Sequence, residues 1–176
     1  SDVFKGTWRG APVAVKKLRL HLGTGDGAGR VRMEEEIAVL GRLRHPSVLT
    51  LMAVVNGGDR AAADGHADLW LVTELMARSL LDALRAAPVP LPVATQLSVA
   101  RDVAEAMTFL HASRVIHRDL KSANILLDAT GCHAKVGDFG LVKSREHTAS
   151  LVSGSVGTFG WMAPEALRGE PIGPQA

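Results

Sequence analysis

The chain opens with short apolar runs that are rich in β-branched residues, a pattern typical of strands. Residues 3–8 and 12–18 are two such runs, and the turn formed by Arg9, Gly10 and Ala11 predicts that they pair as a hairpin. Residues 49–55 and 69–72 predict two further strands. Between them, residues 56–68 are rich in glycine and alanine, which predicts a poorly ordered insert.

Other segments have helical spacing. In residues 31–43, the apolar side chains of Met33, Ile37 and Leu40 form one stripe. Residues 79–86 predict a short helix, which ends before the proline at position 88. Residues 92–112 give the clearest helix, and the proline at its start suits a first turn. The predicted inward stripe of this helix consists of Leu97, Ala100, Val103 or Ala104, Met107 and Leu110.

Composition narrows the class of protein. A chain of 176 residues with 47% hydrophobic residues can bury one sizeable core. The net charge of +2 is small and aromatic residues make up only 4%, which argues against a nucleic-acid-binding surface. The single cysteine, Cys132, excludes an internal disulfide and fits a reducing, cytoplasmic compartment. No run approaches the ~18 apolar residues of a membrane-spanning helix, so no membrane segment is predicted.

One constellation of residues points to chemistry. It consists of His117-Arg118-Asp119-Leu120-Lys121-Ser122-Ala123-Asn124, then Asp138-Phe139-Gly140, then Ala163-Pro164-Glu165. In this order, these segments resemble the catalytic loop and activation segment of eukaryotic protein kinases. The resemblance covers the chain and implies a two-lobed α+β fold. Residues 1–76 would form an N-lobe antiparallel sheet with one helix, helix C, and the hinge. Residues 77–176 would begin the helical C-lobe.

The resemblance also implies a role for each polar residue of the loop. ATP and Mg²⁺ would be the cofactors, and Ser or Thr hydroxyls of proteins the acceptors. Asp119 would orient the acceptor hydroxyl and take its proton, and Lys121 would contact the transferring phosphate. Asn124 and Asp138 would present hard oxygens to Mg²⁺. Such charges are needed because phosphoryl transfer spreads negative charge over several oxygens.

A lysine in the first half of the chain completes the implied phosphate site. Lys16 ends an apolar run and would contact the α- and β-phosphates while pairing with a helix glutamate. The candidate glutamates are Glu34, Glu35 and Glu36. Glu36 lies three residues after Met33 and four before Leu40, so it shares the inward stripe. We therefore predict that Glu36 is the partner and that the other two are solvated.

The resemblance places the adenine pocket on both sides of the hinge. Thr73 would be the gatekeeper, and the Glu74 carbonyl and Met76 amide would bond to the adenine edge. Apolar contacts to the faces of the ring would come from Val3, Ala14 and Leu126.

The two ends of the chain fall inside the kinase pattern. Val3 fits the last position of the glycine-rich loop, which puts Ser1 at the third glycine and the first two glycines before the chain. A helical half would follow Glu165. We therefore expect these residues to be part of a larger domain and to be unstable in isolation. Val115, Ile116 and Trp161 would lie on the exposed surface.

Two positions indicate the class of acceptor. Lys121 and Thr158 are typical of serine/threonine kinases, and residues 157–165 resemble the tyrosine-kinase-like group of that class. Thr158 would hydrogen-bond near Asp119. The alternative is a pseudokinase or scaffold that binds nucleotide without turnover, since the first glycines of the loop lie outside the chain.

The segment between residues 140 and 163 is rich in hydroxyl groups and occupies the position of an activation loop. A phosphate there would add negative charge that Arg118, next to the catalytic acid, could bind. The predicted phosphorylation sites are Thr148, Ser150, Ser153 and Ser155. The alternative is a plain polar loop, with Arg118 only bracing the fold.

Overall fold

The computed structural model of the chain describes residues 2–21, 37–56, 66–87, 89–138, 159–170 and 173. The chain divides into two compact units. The first comprises Ser1–Arg44 and Leu49–Met76, and the second comprises His45–Val48 and Ala77–Ala176. The first unit contains an antiparallel sheet, and the second contains helices with a smaller sheet. The predicted α+β class is therefore confirmed. Within the described ranges, no helix is long and apolar enough to cross a membrane.

The sheet of the first unit has four antiparallel strands. They are β1 (Asp2–Trp8), β2 (Ala11–His21), β3 (Leu51–Asn56) and β4 (His66–Glu74), in the spatial order β1-β2-β4-β3. The predicted hairpin is confirmed, since β1 pairs with β2. Arg9 and Gly10 form its turn with φ values of 51° and 82°, and positive φ at both positions is the geometry that matches the twist of a tight hairpin.

The bounds of several elements of the first unit differ from the predictions. β1 begins at Asp2, and β2 covers Ala11–His21 rather than 12–18. β3 covers Leu51–Asn56 rather than 49–55, and β4 begins at His66, inside the predicted insert. Residues 57–65 and 22–36 lie outside the described residues.

The predicted helix 31–43 is helical at residues 37–40 and then ends, because glycine at position 41 disfavours a helix interior. The next amides bond three residues back, from Arg42 to Val39 and from Leu43 to Leu40, at 3.0 and 3.2 Å.

The second unit is built around one long helix. Its elements are β5 (Arg78–Ser79), α1 (Leu80–Ala86), α2 (Val93–Ala112), β6 (Ile125–Leu127), β7 (Ala134–Val136) and α3 (Pro164–Leu167). The strands form a sheet in the order β5-β6-β7. α1 begins one residue after the predicted start, because Ser79 is its N-cap and its hydroxyl accepts the Asp82 amide at 3.1 Å.

The buried face of α2 differs from the predicted stripe. The buried residues are Val99, Asp102, Ala106 and Leu110, and Val103 packs beside them against Ala83, Ile125, Leu127 and Ala134. Leu110 and Val103 were therefore predicted correctly, whereas Leu97 is 66% exposed, and Ala100 and the alternative Ala104 are also exposed. The stripe was wrong at these positions because apolar residues surround most of this helix, so their spacing selects no single face. Pro92 is the N-cap and not part of the first turn.

Three apolar residues were expected on the surface. Trp161 is exposed, at 58%, in a short 3₁₀ turn over Phe159–Trp161. Val115 and Ile116 are instead half-buried. The Val115 amide bonds back to the Leu110 carbonyl at 2.9 Å, which draws this segment against the end of α2.

Residues His45–Val48 belong to the second unit although they precede β3 in the chain. The His45 ring stacks on Phe109 of α2, with centroids 4.9 Å apart. Val48 is 1% exposed and forms a parallel bridge with Val136, whose amide bonds to the Ser47 carbonyl at 2.9 Å. This segment thus adds a backbone partner to the open side of β7.

Asp102 is a buried carboxylate that joins α2 to β7. Its Oδ2 accepts the buried Ala134 amide at 2.9 Å. We predict that Asp102→Ala lowers the free energy of unfolding by about 2 kcal/mol, because it leaves this amide without its acceptor. Asp102→Asn, which retains an acceptor oxygen, should be milder. Urea denaturation measures both.

The control is Glu105→Ala on the same helix, where an exposed carboxylate lies 3.8 Å from Arg101. Exposed pairs of this kind contribute about 0–1 kcal/mol, so this change should be nearly neutral. Equal losses for Asp102→Ala and Glu105→Ala would contradict the role given to Asp102.

Candidate active site

The polar loop begins at the C-terminus of α2. The helix ends in a Schellman motif, with bonds of 2.9 Å from the Val115 amide to the Leu110 carbonyl and from the Arg114 amide to the His111 carbonyl. Arg114 takes the left-handed position of this motif, at φ 59°, where glycine is usual. The reversal directs the chain from the helix into residues 115–121.

His117 is the buried centre of the loop. Its side chain is 2% exposed. Its Nδ1 accepts the Asp119 amide at 3.3 Å, and its Nε2 lies 2.9 Å from the Gly137 carbonyl. Because Nδ1 is an acceptor, the proton of a neutral ring lies on Nε2 and is donated to Gly137. This tautomer joins the loop to the residue before Asp138.

Asp119 lies between a cation and an amide. The Lys121 ammonium is 3.0 Å from Oδ2 of Asp119 and 3.2 Å from Oδ1. The Asn124 side-chain nitrogen donates to the Asp119 carbonyl at 2.7 Å and to Oδ2 at 3.2 Å. The Asp119 side chain is 12% exposed, so the carboxylate is held in place while one part of it reaches the surface.

Asp138 is placed beside this loop by backbone bonds. The Gly137 amide donates to the Asn124 carbonyl at 2.9 Å, while the Gly137 carbonyl faces His117. Asp138 itself is exposed, with φ of 56°, and Arg118 has φ of 63°. Left-handed backbone at residues other than glycine costs on the order of 1 kcal/mol each and clusters at functional sites. Both strained residues flank the polar network.

The oxygen donors of this network suit Mg²⁺. Since Nδ2 of Asn124 is directed at Asp119, Oδ1 lies on the other side of the amide carbon, and Asp138 offers a carboxylate. Mg²⁺ binds such hard oxygens and keeps water or phosphate oxygens as its other ligands. In the part of the chain that the structure describes, no group of three or more His, Cys, Asp and Glu side chains could hold a metal by itself. Asn124 and Asp138 offer two hard oxygens, which fit an ion whose other ligands are water or phosphate oxygens.

The first unit brings its own set of predicted residues together. In the register of the sheet, Val3 lies opposite Lys16, and Ala14 lies opposite Thr73. Directly opposed residues share a face, as do residues two apart on one strand, so all four lie on one face of the sheet. The same face carries Leu18, Leu69 and Leu71, which are buried.

The predicted hinge begins at the end of β4 and runs to Met76. The Thr73 hydroxyl donates to the Glu74 carbonyl at 3.2 Å, and Met76 is the last residue of the first unit. In the second unit, the half-buried Leu126 lies in β6 opposite Lys135 and follows closely after Asn124.

The comparisons with known proteins agree with this geometry. Residues 1–176 match the family described as the protein kinase domain. The chain belongs to the protein kinase family. It is 37% identical over 172 residues to a probable serine/threonine-protein kinase of Dictyostelium discoideum, a match that covers 96% of the chain and 17% of that relative. It is 36% identical over 173 residues to the probable serine/threonine-protein kinase SIS8 of Arabidopsis thaliana, with 97% and 16% covered.

A third relative is a putative serine/threonine-protein kinase/receptor of Acanthamoeba polyphaga mimivirus. It is 38% identical over 169 residues, which are 94% of this chain and 10% of the relative. This kinase domain sequence therefore spans less than a fifth of the length of each of these relatives.

Several predicted residues of the kinase site lie outside the described residues. They are Glu36, Thr158 and the four hydroxyl residues Thr148, Ser150, Ser153 and Ser155. Their roles, and the ion pair between Lys16 and Glu36, stay predictions.

The residues that hold the kinase loop in place were not predicted from the sequence. His117 was predicted only as part of the motif, and no role was predicted for Ser47 or Gly137. Ser47 and Gly137 make their contacts through backbone groups, which every residue carries, so no side-chain signature indicates them. A buried histidine between Ile116 and Arg118 was the only available signal.

We predict that His117→Phe destabilises the second unit by about 3 kcal/mol, because a ring of similar size loses bonds to both Asp119 and Gly137. The matched control is His111→Phe. Among the described residues, the buried Nε2 of His111 has no hydrogen-bond partner. This change should cost within about 1 kcal/mol. Chemical denaturation of both variants is the measurement, and a larger loss for His111→Phe would contradict the assignment.

Proposed function

We propose that this chain is the catalytic part of an ATP-dependent protein serine/threonine kinase, which transfers the γ-phosphate of ATP to Ser or Thr hydroxyls of proteins. The observation that carries the proposal is the position of Asp119. Its carboxylate is bonded by the Lys121 ammonium and the Asn124 amide, at distances between 3.0 and 3.2 Å. Asp138 follows the glycine that is tied to Asn124.

Asp119 serves as the proton acceptor. The substrate hydroxyl oxygen forms a bond to the γ-phosphorus, and the bond from that phosphorus to the β–γ bridging oxygen breaks. ADP leaves with the bond electrons, and the hydroxyl proton passes to the Asp119 carboxylate. The bonds from Lys121 and Asn124 hold this carboxylate in one orientation. Lys121 also supplies positive charge to the transferring phosphate.

Bound Mg²⁺ would neutralise charge that develops on the phosphate oxygens. Asn124 and Asp138 are the residues that would hold it, through an amide oxygen and a carboxylate. In the first unit, Lys16 would contact the α- and β-phosphates, with Val3, Ala14 and Thr73 on the same face of the sheet. The relatives' names and Lys121 support the choice of Ser and Thr as acceptors.

Three further assignments belong to this proposal. The domain is assigned to the tyrosine-kinase-like group on residues 157–165. It acts inside the cell, in keeping with its single, unpaired Cys132. Phosphorylation of the segment that contains residues 148–155 switches its activity.

The decisive test is transfer of labelled γ-phosphate from ATP to a generic protein substrate by the full-length protein. We predict that Asp119→Asn lowers turnover by about 10²–10⁴-fold while ATP affinity stays near wild type, because only the proton acceptor is lost. The control is Asp128→Asn. In the turn after β6, Thr130 donates a hydrogen bond that lowers the pKa of Asp128, and this carboxyl has no place in the reaction. Wild-type turnover in Asp119→Asn would overturn the assignment.

A second prediction concerns two neighbouring lysines. Lys16→Met should abolish transfer, because its ammonium is assigned to the phosphates. Lys17→Met should retain most activity, since Lys17 lies on the opposite face of β2, over the Trp70 ring at 5.4 Å. Transfer assays on the two variants decide between the faces. Equal activity of both variants would contradict the predicted nucleotide face.

A further inference from the structure

We propose that the side chain of Glu74 is a positioning residue for nucleotide binding. Its carboxylate accepts the Thr50 amide in place of its own main-chain carbonyl, and we assign that carbonyl to the adenine amino group. The inference rests on the proposed function, because it concerns the site at which that function places ATP. It is carried by the hydrogen bonds between Glu74 and Thr50.

The register shows that Thr50 and Glu74 are cross-strand partners. Leu51 pairs with Thr73 in the antiparallel arrangement of β3 and β4, so the next pair outward is Thr50 and Glu74. Between Leu51 and Ala53 the register shifts by a β-bulge. A bulge interrupts the ladder and increases the local twist, so the pair beyond it has to be held by its own contacts.

In a hydrogen-bonded antiparallel pair, the two residues exchange both amide-to-carbonyl bonds. Here one of them is present, from the Glu74 amide to the Thr50 carbonyl at 3.3 Å. The Thr50 amide donates instead to Oε1 of the Glu74 side chain, at 2.8 Å. The carboxylate therefore substitutes for the carbonyl. A charged acceptor makes the stronger bond, which favours this arrangement over the ordinary ladder.

Because the carboxylate accepts the Thr50 amide, the main-chain carbonyl of Glu74 has a different set of partners. This oxygen accepts the Thr73 hydroxyl at 3.2 Å, and a carbonyl oxygen has two lone pairs. An amino group on the adenine edge is a donor that needs an acceptor at this position. If the Thr50 amide bonded to the Glu74 carbonyl instead, this oxygen would be part of the hydrogen-bond ladder between β3 and β4.

The side chain at position 74 therefore has to carry an acceptor of the right length. Leucine has a similar length and no acceptor, so Glu74→Leu lets the Thr50 amide turn to the carbonyl. Glutamine keeps an acceptor oxygen at the same reach, so Glu74→Gln preserves the arrangement. Glu105→Leu is the control, because it makes the same change at an exposed glutamate of α2.

The first measurement is calorimetric binding of adenosine, Mg·ATP and tripolyphosphate to each variant of the full-length protein. We expect Glu74→Leu to weaken adenosine and Mg·ATP by about tenfold, the effect of one hydrogen bond, and to leave tripolyphosphate unchanged. Glu74→Gln and Glu105→Leu should bind all three like wild type. Unchanged adenosine affinity in Glu74→Leu, or equal losses for adenosine and tripolyphosphate, would overturn the proposal.

The second measurement does not depend on nucleotide. Scalar couplings across hydrogen bonds identify the acceptor of the Thr50 amide by NMR. We expect coupling to the side-chain carboxyl carbon of Glu74 in the wild type, and to the backbone carbonyl carbon of residue 74 in Glu74→Leu. Coupling to the backbone carbonyl in the wild type would contradict the proposal.

The two measurements separate this inference from the proposed function. Absence of Mg·ATP binding by the wild-type protein would defeat the proposed function, and the positioning role with it. Binding and turnover in the wild type, with no loss of adenosine affinity in Glu74→Leu, would defeat the positioning role alone.

Discussion

The site depends on how the backbone of Gly137 is held. Its carbonyl faces the buried His117 ring at 2.9 Å, and its amide donates to the Asn124 carbonyl at 2.9 Å. These two bonds join the loop that carries Asp119 to the strand that leads to Asp138. Because His117 also accepts the Asp119 amide, one side chain fixes the backbone near both acids. Loss of this arrangement would separate Asp119 from Asn124 and Asp138, the residues to which we assign proton transfer and metal binding.

The hydrophobic core of the second unit fixes β7, the strand that leads to Gly137. β7 lies against α2 through Val99 and Ala134, and the carboxylate of Asp102 fixes the Ala134 amide. Residues His45–Val48 hold the other side of β7, where Val136 bonds to Ser47. A strand fixed on both sides can hold Gly137 in place and present Asp138 in a strained, left-handed conformation, which isolated loops do not maintain.

The polar residues that the structure brings together around Asp119 were easier to predict from the sequence than the residues that support them. The resemblance named Val3, Ala14 and Lys16, and the register of β1 and β2 places these residues on one face, as the two-residue period of a strand requires. The motifs likewise indicated Asp119, Asn124 and Asp138. The buried face of α2 was not predictable in the same way. Apolar residues surround that helix, and its most important buried residue, Asp102, is charged. The role of a backbone group such as that of Gly137 appears only once the strands are paired.

We propose that Asn124 and Asp138 hold a metal ion beside Asp119, and paramagnetic relaxation tests this proposal most directly. Substoichiometric Mn²⁺ with ADP should broaden the NMR signals of the Asn124 side-chain amide and the Asp138 backbone amide first, since the effect falls steeply with distance. The side-chain amide of Gln96 should stay sharp, because it lies in the first turns of α2, at the end of a 20-residue helix remote from the loop. Sharp signals from Asn124 and Asp138 with Mn²⁺ and ADP bound would contradict the account.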